Sequence, residues 1–328
     1  MPTTVYGDIS PRTAGHASRE LLERGAPALV SEQFGQVKPL PTNSTRTMIF
    51  RRYNALDPTP VDLVEGVTPA GKKLNKTDVS VTLRQVGDFV EITDVIDDTH
   101  EDPVLQEMIS LLGDQAPQML ELMRLGVLKG GTNVFYANGT ERTAVNTKIT
   151  RAMQRRIVRA LDRQYAKQIT RVVRSTPDFG TEPVAPAFIC LCTTDAEGDV
   201  RDMEGFVPVE KYGTITPYPT EIGKVERVRY VSAPMLKPFA DAGGAAGSML
   251  STSGVSADVY PYLFIGANAF AAVPLKGKKA VTPMVLNPNK PRGGDNLGQR
   301  GSVGWKTYSN TVILNDAWMA RLEAAVTN

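Results

Sequence analysis

A chain of 328 residues can bury roughly three quarters of its extended surface, and its 41% hydrophobic and 22% charged content excludes wholesale disorder and a membrane-embedded protein. Lys and Arg (37) barely exceed Asp and Glu (35), so the net charge of +2 excludes a dedicated polyanion binder of the histone kind. No apolar run approaches the roughly 18 residues of a membrane span, and MPTTVYGDISPR lacks the basic-then-apolar pattern of a signal peptide, which predicts a protein made and kept in cytoplasm.

Residues 1–44 form a polar arm punctuated by Pro and Gly, with one short helical pattern at Ala17 to Arg24. Without alternation, this arm is expected to cross another surface rather than build its own core. Thr45 to Tyr53 (TRTMIFRRY) and Asp78 to Ile96 (DVSVTLRQVGDFVEITDVI) are rich in β-branched and aromatic residues and predict two antiparallel strands. Between them Pro58, Pro60, Gly66, Pro69 and Gly71 break any helix, so the segment reads as the elaborate tip of a long hairpin. An isolated two-stranded arm is marginal in water, and a neighbouring copy is its expected support.

Asp102 to Gly130 reads as one long helix. Asp102 suits the N-cap, Pro103 the first helical position, and Gly130-Gly131 the stop. Val104, Leu105, Met108, Ile109, Leu112, Met119, Leu120, Met123 and Val127 make an apolar stripe that a sheet must cover, and Gly113 and Pro117 predict a kink near Asp114 to Pro117. Thr132 to Thr147 reads as loop, with a turn at Asn138-Gly139. Lys148 to Arg174 predicts a second helix, with Ile149, Met153, Ile157, Leu161, Tyr165, Ile169 and Val173 at steps of four. Arg151, Arg155, Arg159, Arg163, Lys167 and Arg171 follow two residues later, about 200° around the axis, so the two rows face apart.

Beyond it the pattern predicts a buried strand at Ala187 to Thr193, a helix at Thr194 to Phe206, a loop at Thr214 to Pro219 and a strand at Glu226 to Ser232. Asp241 to Ser256 is a small-residue segment expected to be a mobile surface loop. A strand at Val259 to Ile265 precedes a turn or helical piece at Asn268 to Ala271. Lys276 to Gly301 reads as loop, Ser302 to Leu314 as a long strand, and Asn315 as the cap of a final helix at Asp316 to Val326. No internal repeat is visible.

Motifs for chemistry are sparse. Gly66 to Lys73 has the Gly and Lys spacing of a phosphate loop, but Lys73 stands where Ser or Thr must hold Mg²⁺ and no strand-to-helix context surrounds it. A basic hairpin tip is the better reading, with Lys72, Lys73 and Lys76, together with Arg51 and Arg52, as candidate contacts to acidic groups of a neighbour. Asp94, Asp97, Asp98, Glu101 and Asp102 lack the Gly-centred calcium loop; they suit a helix N-terminus, and the first four are the candidate acidic partners. The arginine row is open to three readings: solvent, nucleic acid phosphates or a neighbouring subunit. Cys190 and Cys192 read as small core residues, since His16 and His100 are too far away in sequence to complete a metal site. No Gly-x-Ser-x-Gly or His-Glu-x-x-His pattern is present, so no enzyme, cofactor or metal is expected, and Trp305 and Trp318 read as core or interface anchors.

The order of parts, with GFVPVEKYG (Gly205 to Gly213), EIGKVERVRY (Glu221 to Tyr230), LGQRGSVGWKT (Leu297 to Thr307) and VILNDAWMAR (Val312 to Arg321), resembles the tailed-bacteriophage major capsid proteins of the Hong Kong 97 fold, in the subgroup typified by coliphage N-four. The resemblance covers most of the chain after Arg46. It implies an α+β capsid fold with an N-arm (1–44), an E-loop hairpin (45–96), a peripheral domain (97–147 and 296–328) built on the spine helix 102–130, and an axial α/β domain (148–295). It further implies self-assembly into hexamers and pentamers of an icosahedral head around double-stranded DNA, with only weak non-specific DNA contacts. The partners would be copies of the chain, with separate scaffold, portal and decoration proteins as further candidates and no membrane. No room for a scaffolding region precedes Thr45, and no motif matches the acceptor and carboxylate of a lysine crosslink, so neither is expected. The alternative is a nucleic-acid-binding protein using the arginine row of helix 148–174.

Overall fold

The computed structural model describes residues 4–5, 30–63, 65–66, 68, 71–95, 104–169, 186–212, 217–276, 281–291 and 293–328. The arm meets the body twice. Thr4–Val5 (β1) pairs in parallel with Ile92 and Thr93, while a 3-10 turn at Ser31–Phe34 leads into Gln36–Val37 (β2), which pairs in parallel with Ala271 and Ala272. Against expectation, residues 30–40 add to the subunit's own core, because Val30, Phe34 and Leu40 are apolar side chains at 3–4% exposure. The helical pattern at 17–24 lies outside the described residues.

Thr47–Tyr53 (β3) and Lys76–Thr82 (β4) form a separate two-stranded antiparallel sheet. The predicted run 78–96 divides at Leu83: beyond it Arg84–Thr93 (β5) joins a different sheet, because buried Leu83 anchors the turn-off point. The long helix, α1, spans Val104–Lys129 without interruption. Gly113 and Pro117 lie on its buried side, where the packed neighbours Leu112, Ala116 and Leu120 offset the missing proline hydrogen bond. Val134–Tyr136 (β6) follows within the expected loop.

The second helix, α2, covers only Arg151–Arg163, capped by Thr150, whose hydroxyl accepts from the Met153 amide at 3.4 Å. The expected continuation to Arg174 fails because Tyr165 takes a left-handed φ of 54° and Ile169 bridges to Ala187, drawing the chain toward a sheet. Next come Phe188–Cys192 (β7), a short helix at Glu197–Arg201 (α3) in place of the longer one expected, Phe206–Pro208 (β8), Glu221–Val225 (β9) and Val228–Ser232 (β10). The small-residue segment 241–256 is knitted by carboxylates rather than loose: Asp241 accepts from the Ser253 amide at 2.9 Å and hydroxyl at 2.8 Å, and Asp258 from the Asp241 amide at 2.7 Å.

Tyr260–Ile265 (β11), Phe270–Pro274 (β12), Thr282–Leu286 (β13), Arg300–Ile313 (β14) and Met319–Ala324 (β15) complete the chain. The turn or helical piece expected at Asn268 to Ala271 gives way to β12 from Phe270 onward, and two further expectations fail here. The loop 276–301 contains β13, and the final helix is instead a single 3-10 turn at Asp316–Trp318 followed by β15, which lies between β11 and β6. Pairing on both sides overrides the helix propensity of MARLEA.

One six-stranded sheet runs β1-β5-β14-β12-β2, with β13 beside β14, and a seven-stranded sheet runs β6-β15-β11-β7-β10-β9-β8. Among the described residues both paths therefore end on strands of two or three residues, with the five-residue β13 as a further edge. Helix α1 serves both sheets. Its first half packs Met108, Ile109, Leu112 and Ala116 on Ile92, Val303 and Trp305, and its second half packs Leu125 and Leu128 on Ile189, Leu191, Leu263 and Ile265. Strand alternation sends Phe188, Cys190 and Cys192 to the opposite face, against Ile149, Ile157 and Leu161. The two cysteines are free and fully buried, as expected of core residues, and burial pushes both thiols up, Cys192 to about 12.

Candidate assembly interface

The hairpin is fixed at its root and bare beyond it. At the root Val81 and Leu83 pack with Leu40 and Val273, and Met48 and Phe50 cover them in part. The Arg46 guanidinium donates to the Leu83 carbonyl at 2.9 Å, the Leu83 amide returns a bond to the Arg46 carbonyl at 2.9 Å, and the Asn310 amide donates to the Thr82 carbonyl at 2.8 Å. From there β3 and β4 pair in continuous register, Thr47 with Thr82 to Tyr53 with Lys76. Along this length Ile49, Tyr53, Leu56, Val61, Leu63 and Leu74 are 53–76% exposed. Apolar side chains this concentrated on two strands and their tip mark a surface awaiting cover.

The candidate cations of the hairpin differ in how they are used. Arg51 donates to Asp78 at 2.8 and 3.1 Å, Lys76 lies 3.3 Å from the same carboxylate, and Lys72 donates to the carbonyls of Asp57 and Thr59 at 2.6 and 3.2 Å. These three brace the hairpin itself. Arg52 and Lys73 are exposed with no partner among the described residues, so they are the cations left for another surface. The bond from Arg51 holds the Asp78 carboxyl below the ordinary carboxylate range, and the Thr59 hydroxyl does the same for Asp57. The described part of 66–73 is exposed loop leading into strand β4, not into a helix, which removes the phosphate-loop context.

A second apolar surface lies on the outer face of the six-stranded sheet, opposite α1. The register sets Phe89 and Met284 on either side of Gly304, with Leu286 opposite Ser302 one step along. Phe89, Met284 and Leu286 are exposed at 63%, 44% and 47% and line a groove of about 490 Å³. The floor must be glycine, since a Cβ on Gly304 would stand 2.6 Å from the Phe89 Cβ. Sequence reading missed this groove because Met284 and Leu286 fall in the segment read as loop.

Of the candidate acidic partners only Asp94 is described; its amide donates to the Gln299 carbonyl at 3.0 Å, while Asp97, Asp98 and Glu101 lie outside the described residues. No group of three metal-ligating side chains occurs among the described residues.

On α2 the two rows do face apart: Ile149, Ile157 and Leu161 are buried, whereas Arg155, Arg159 and Arg163 are exposed. Two of the row's cations, Arg151 and Arg155, are met by carboxylates of the subunit. Arg151 lies 2.7 Å from Glu204, Arg155 donates to Glu226 at 2.8 Å, and Arg159 donates to the Arg155 carbonyl at 3.3 Å. The Arg155 contact holds the Glu226 carboxyl below its ordinary range. Lys167 lies past the helix end, and Arg171 lies outside the described residues.

No family model and no curated protein matches the chain. Solved structures do. The capsid of Ralstonia phage GP4 matches with a TM-score of 0.67 at 14% identity, over 92% of this chain and 90% of that one. The cyanophage Pam1 capsid matches at 0.60 and 16% identity over 92% of both, and the SrpI encapsulin of Synechococcus elongatus PCC 7942 at 0.53 and 11% over 90% and 87%. With matches spanning nine tenths of the sequence, the chain has the mixed α+β Hong Kong 97 fold of phage capsid structures.

Proposed function

We propose that this chain is a major capsid protein whose copies close into hexamers and pentamers of an icosahedral phage head around double-stranded DNA. The observation that carries the reading is the hairpin β3–β4, anchored by a small core at its root and bare over its length. The described residues of a single copy cover it only at its root; a neighbouring copy would cover the rest, and the groove at Phe89, Met284 and Leu286 is a second surface of the same apolar kind. The regions 1–44, 45–96, 97–147 with 296–328, and 148–295 would serve as N-arm, E-loop, peripheral and axial parts, in the manner of the N-four subgroup. Arg52 and Lys73 are the hairpin cations available to a neighbour's acids. The row on α2, with Arg151 and Arg155 paired within the subunit, would offer packaged DNA only weak contacts. The role is structural rather than enzymatic, the site of assembly is the host cytoplasm, and scaffold, portal and decoration proteins are candidate partners beside further copies of the chain.

Electron microscopy and sedimentation of the purified protein test this. Closed particles formed without added DNA are the expected result; a monomer that binds DNA with steep salt dependence would favour the nucleic-acid-binding alternative. Deleting residues 56–75 should leave a folded subunit that closes no shell, and normal particles from that deletion would remove the bridging role. In denaturing gels of particles the subunit should run at monomer mass, and ladders would reveal a crosslink.

A further inference from the structure

Ser31 opens a 3-10 turn whose preceding residue, Val30, gives no side-chain cap. The cap comes instead from α1. Glu121, 1% exposed, accepts from the Ser31 amide at 3.0 Å through Oε1 and from the Ser31 hydroxyl at 2.8 Å through Oε2. One turn further along α1, Arg124 is 6% exposed. Its Nη2 lies 3.2 Å from Glu32 Oε2, but its Nη1 is 3.9 Å from Glu121 Oε2, beyond hydrogen-bond reach, and Nε and Nη1 have no acceptor among the described residues. Buried donors on a charged group are costly to leave unpaired, and Glu121, the nearest carboxylate, turns both oxygens to the arm and stands 3.9 Å from the guanidinium.

We propose that Glu121 and Arg124 form a two-position latch on the N-terminal arm, in which the guanidinium competes with Ser31 for one buried carboxylate. In the position described, the arm holds Glu121 and Arg124 goes short. In the other, the carboxylate turns from Ser31 to accept the guanidinium fork side-on, the i,i+3 spacing allows the pair to close within the helix, and the turn at Ser31–Phe34 lifts away. Docking also inserts Val30 and Phe34 into the core around Leu125 and Leu128, so the latch offsets part of a favourable burial. The arm is thereby a strap whose release costs less than its buried apolar residues imply. The latch depends on contacts within one subunit and stands apart from any reading of how copies assemble.

Hydrogen exchange at the amides of residues 30–37, measured on the full chain, tests it. Under competition, Arg124→Met removes the rival for Glu121 and should slow exchange there by about tenfold, the scale of one charge-assisted hydrogen bond. If Arg124 merely braces the arm through Glu32, the same change speeds exchange, and that result overturns the proposal. Arg124→Lys keeps a cation beside Glu32 but cannot present the fork, so it too should slow exchange, by several-fold. An unchanged or faster rate in Arg124→Lys likewise overturns the latch, and this variant decides alone if Arg124→Met loses protection in strand Tyr260–Ile265.

Discussion

The hairpin β3–β4 and the seven-stranded sheet are built from similar residue types and end in opposite conditions. In β7, β11 and β15 every residue is buried, whereas β3 has no fully buried residue and β4 has one, Val81. The sheet is complete within one copy of the chain. The hairpin is a surface without an interior, and the contrast separates residues that keep the subunit folded from residues free to act between copies.

The widest predicted gap is in stability. Phe264 is fully buried and meets Tyr230 edge-on at 6.4 Å, so Phe264→Ala should cost about 3–5 kcal/mol in denaturant unfolding. A loss under about 1 kcal/mol would break the contrast. Close behind is Glu323, fully buried, which accepts from Arg142 at 2.7 and 2.8 Å and from Arg321 at 2.8 Å. Glu323→Ala strands two guanidinium groups and should cost about 3 kcal/mol by the same measurement. On the hairpin, Leu56→Ser with Leu63→Ser should shift subunit stability by less than about 0.5 kcal/mol, while sedimentation should show fewer closed particles.

The smallest effect sharpens the comparison through sign. Asp78 on the hairpin is held below its ordinary range by Arg51, so its contribution to stability is present above that range and lost as pH falls through the depressed value. Glu121 in the interior is held above its ordinary range by burial, opposed by Ser31 and Arg124. Ionising it costs the folded state more than the unfolded one, so its contribution declines as pH rises from the ordinary value through the raised one. Side-chain carboxyl titration by NMR should place the two on opposite sides of their ordinary values.

Much of this fold is legible in the residues themselves, and the elements that are not share a cause. FICLC, YPYLFI and the run ending in TVI were legible as strands because β-branched and aromatic residues coincide with burial. MARLEA was not: its residues favour helix, and only the two flanking strands, with Glu323 neutralising Arg321, make it a central strand. TPMVL was hidden by Pro283, which is tolerated because the strand lies at a sheet edge. The hairpin could be anticipated from its broken middle segment, but which of its cations are spent on Asp78 and the tip carbonyls depends on register. Glu121 and Arg124 left only a faint trace, opposite charges three apart on a helix, and nothing local shows that both are buried.

The short terminal strands of the two large sheets bear on how such a chain survives high concentration in a cell. The two- and three-residue strands offer few unpaired amides and carbonyls to template a further strand, Pro208 removes a donor at one margin, and Pro283 removes one at the longer edge strand β13, while β5 keeps an open side from Arg84 to Glu91, where β1 does not reach among the described residues. At those margins crowded copies have little opportunity to zip together into fibrils, which leaves the longer open edges of β5 and of the hairpin as the places where a strand of another copy could add.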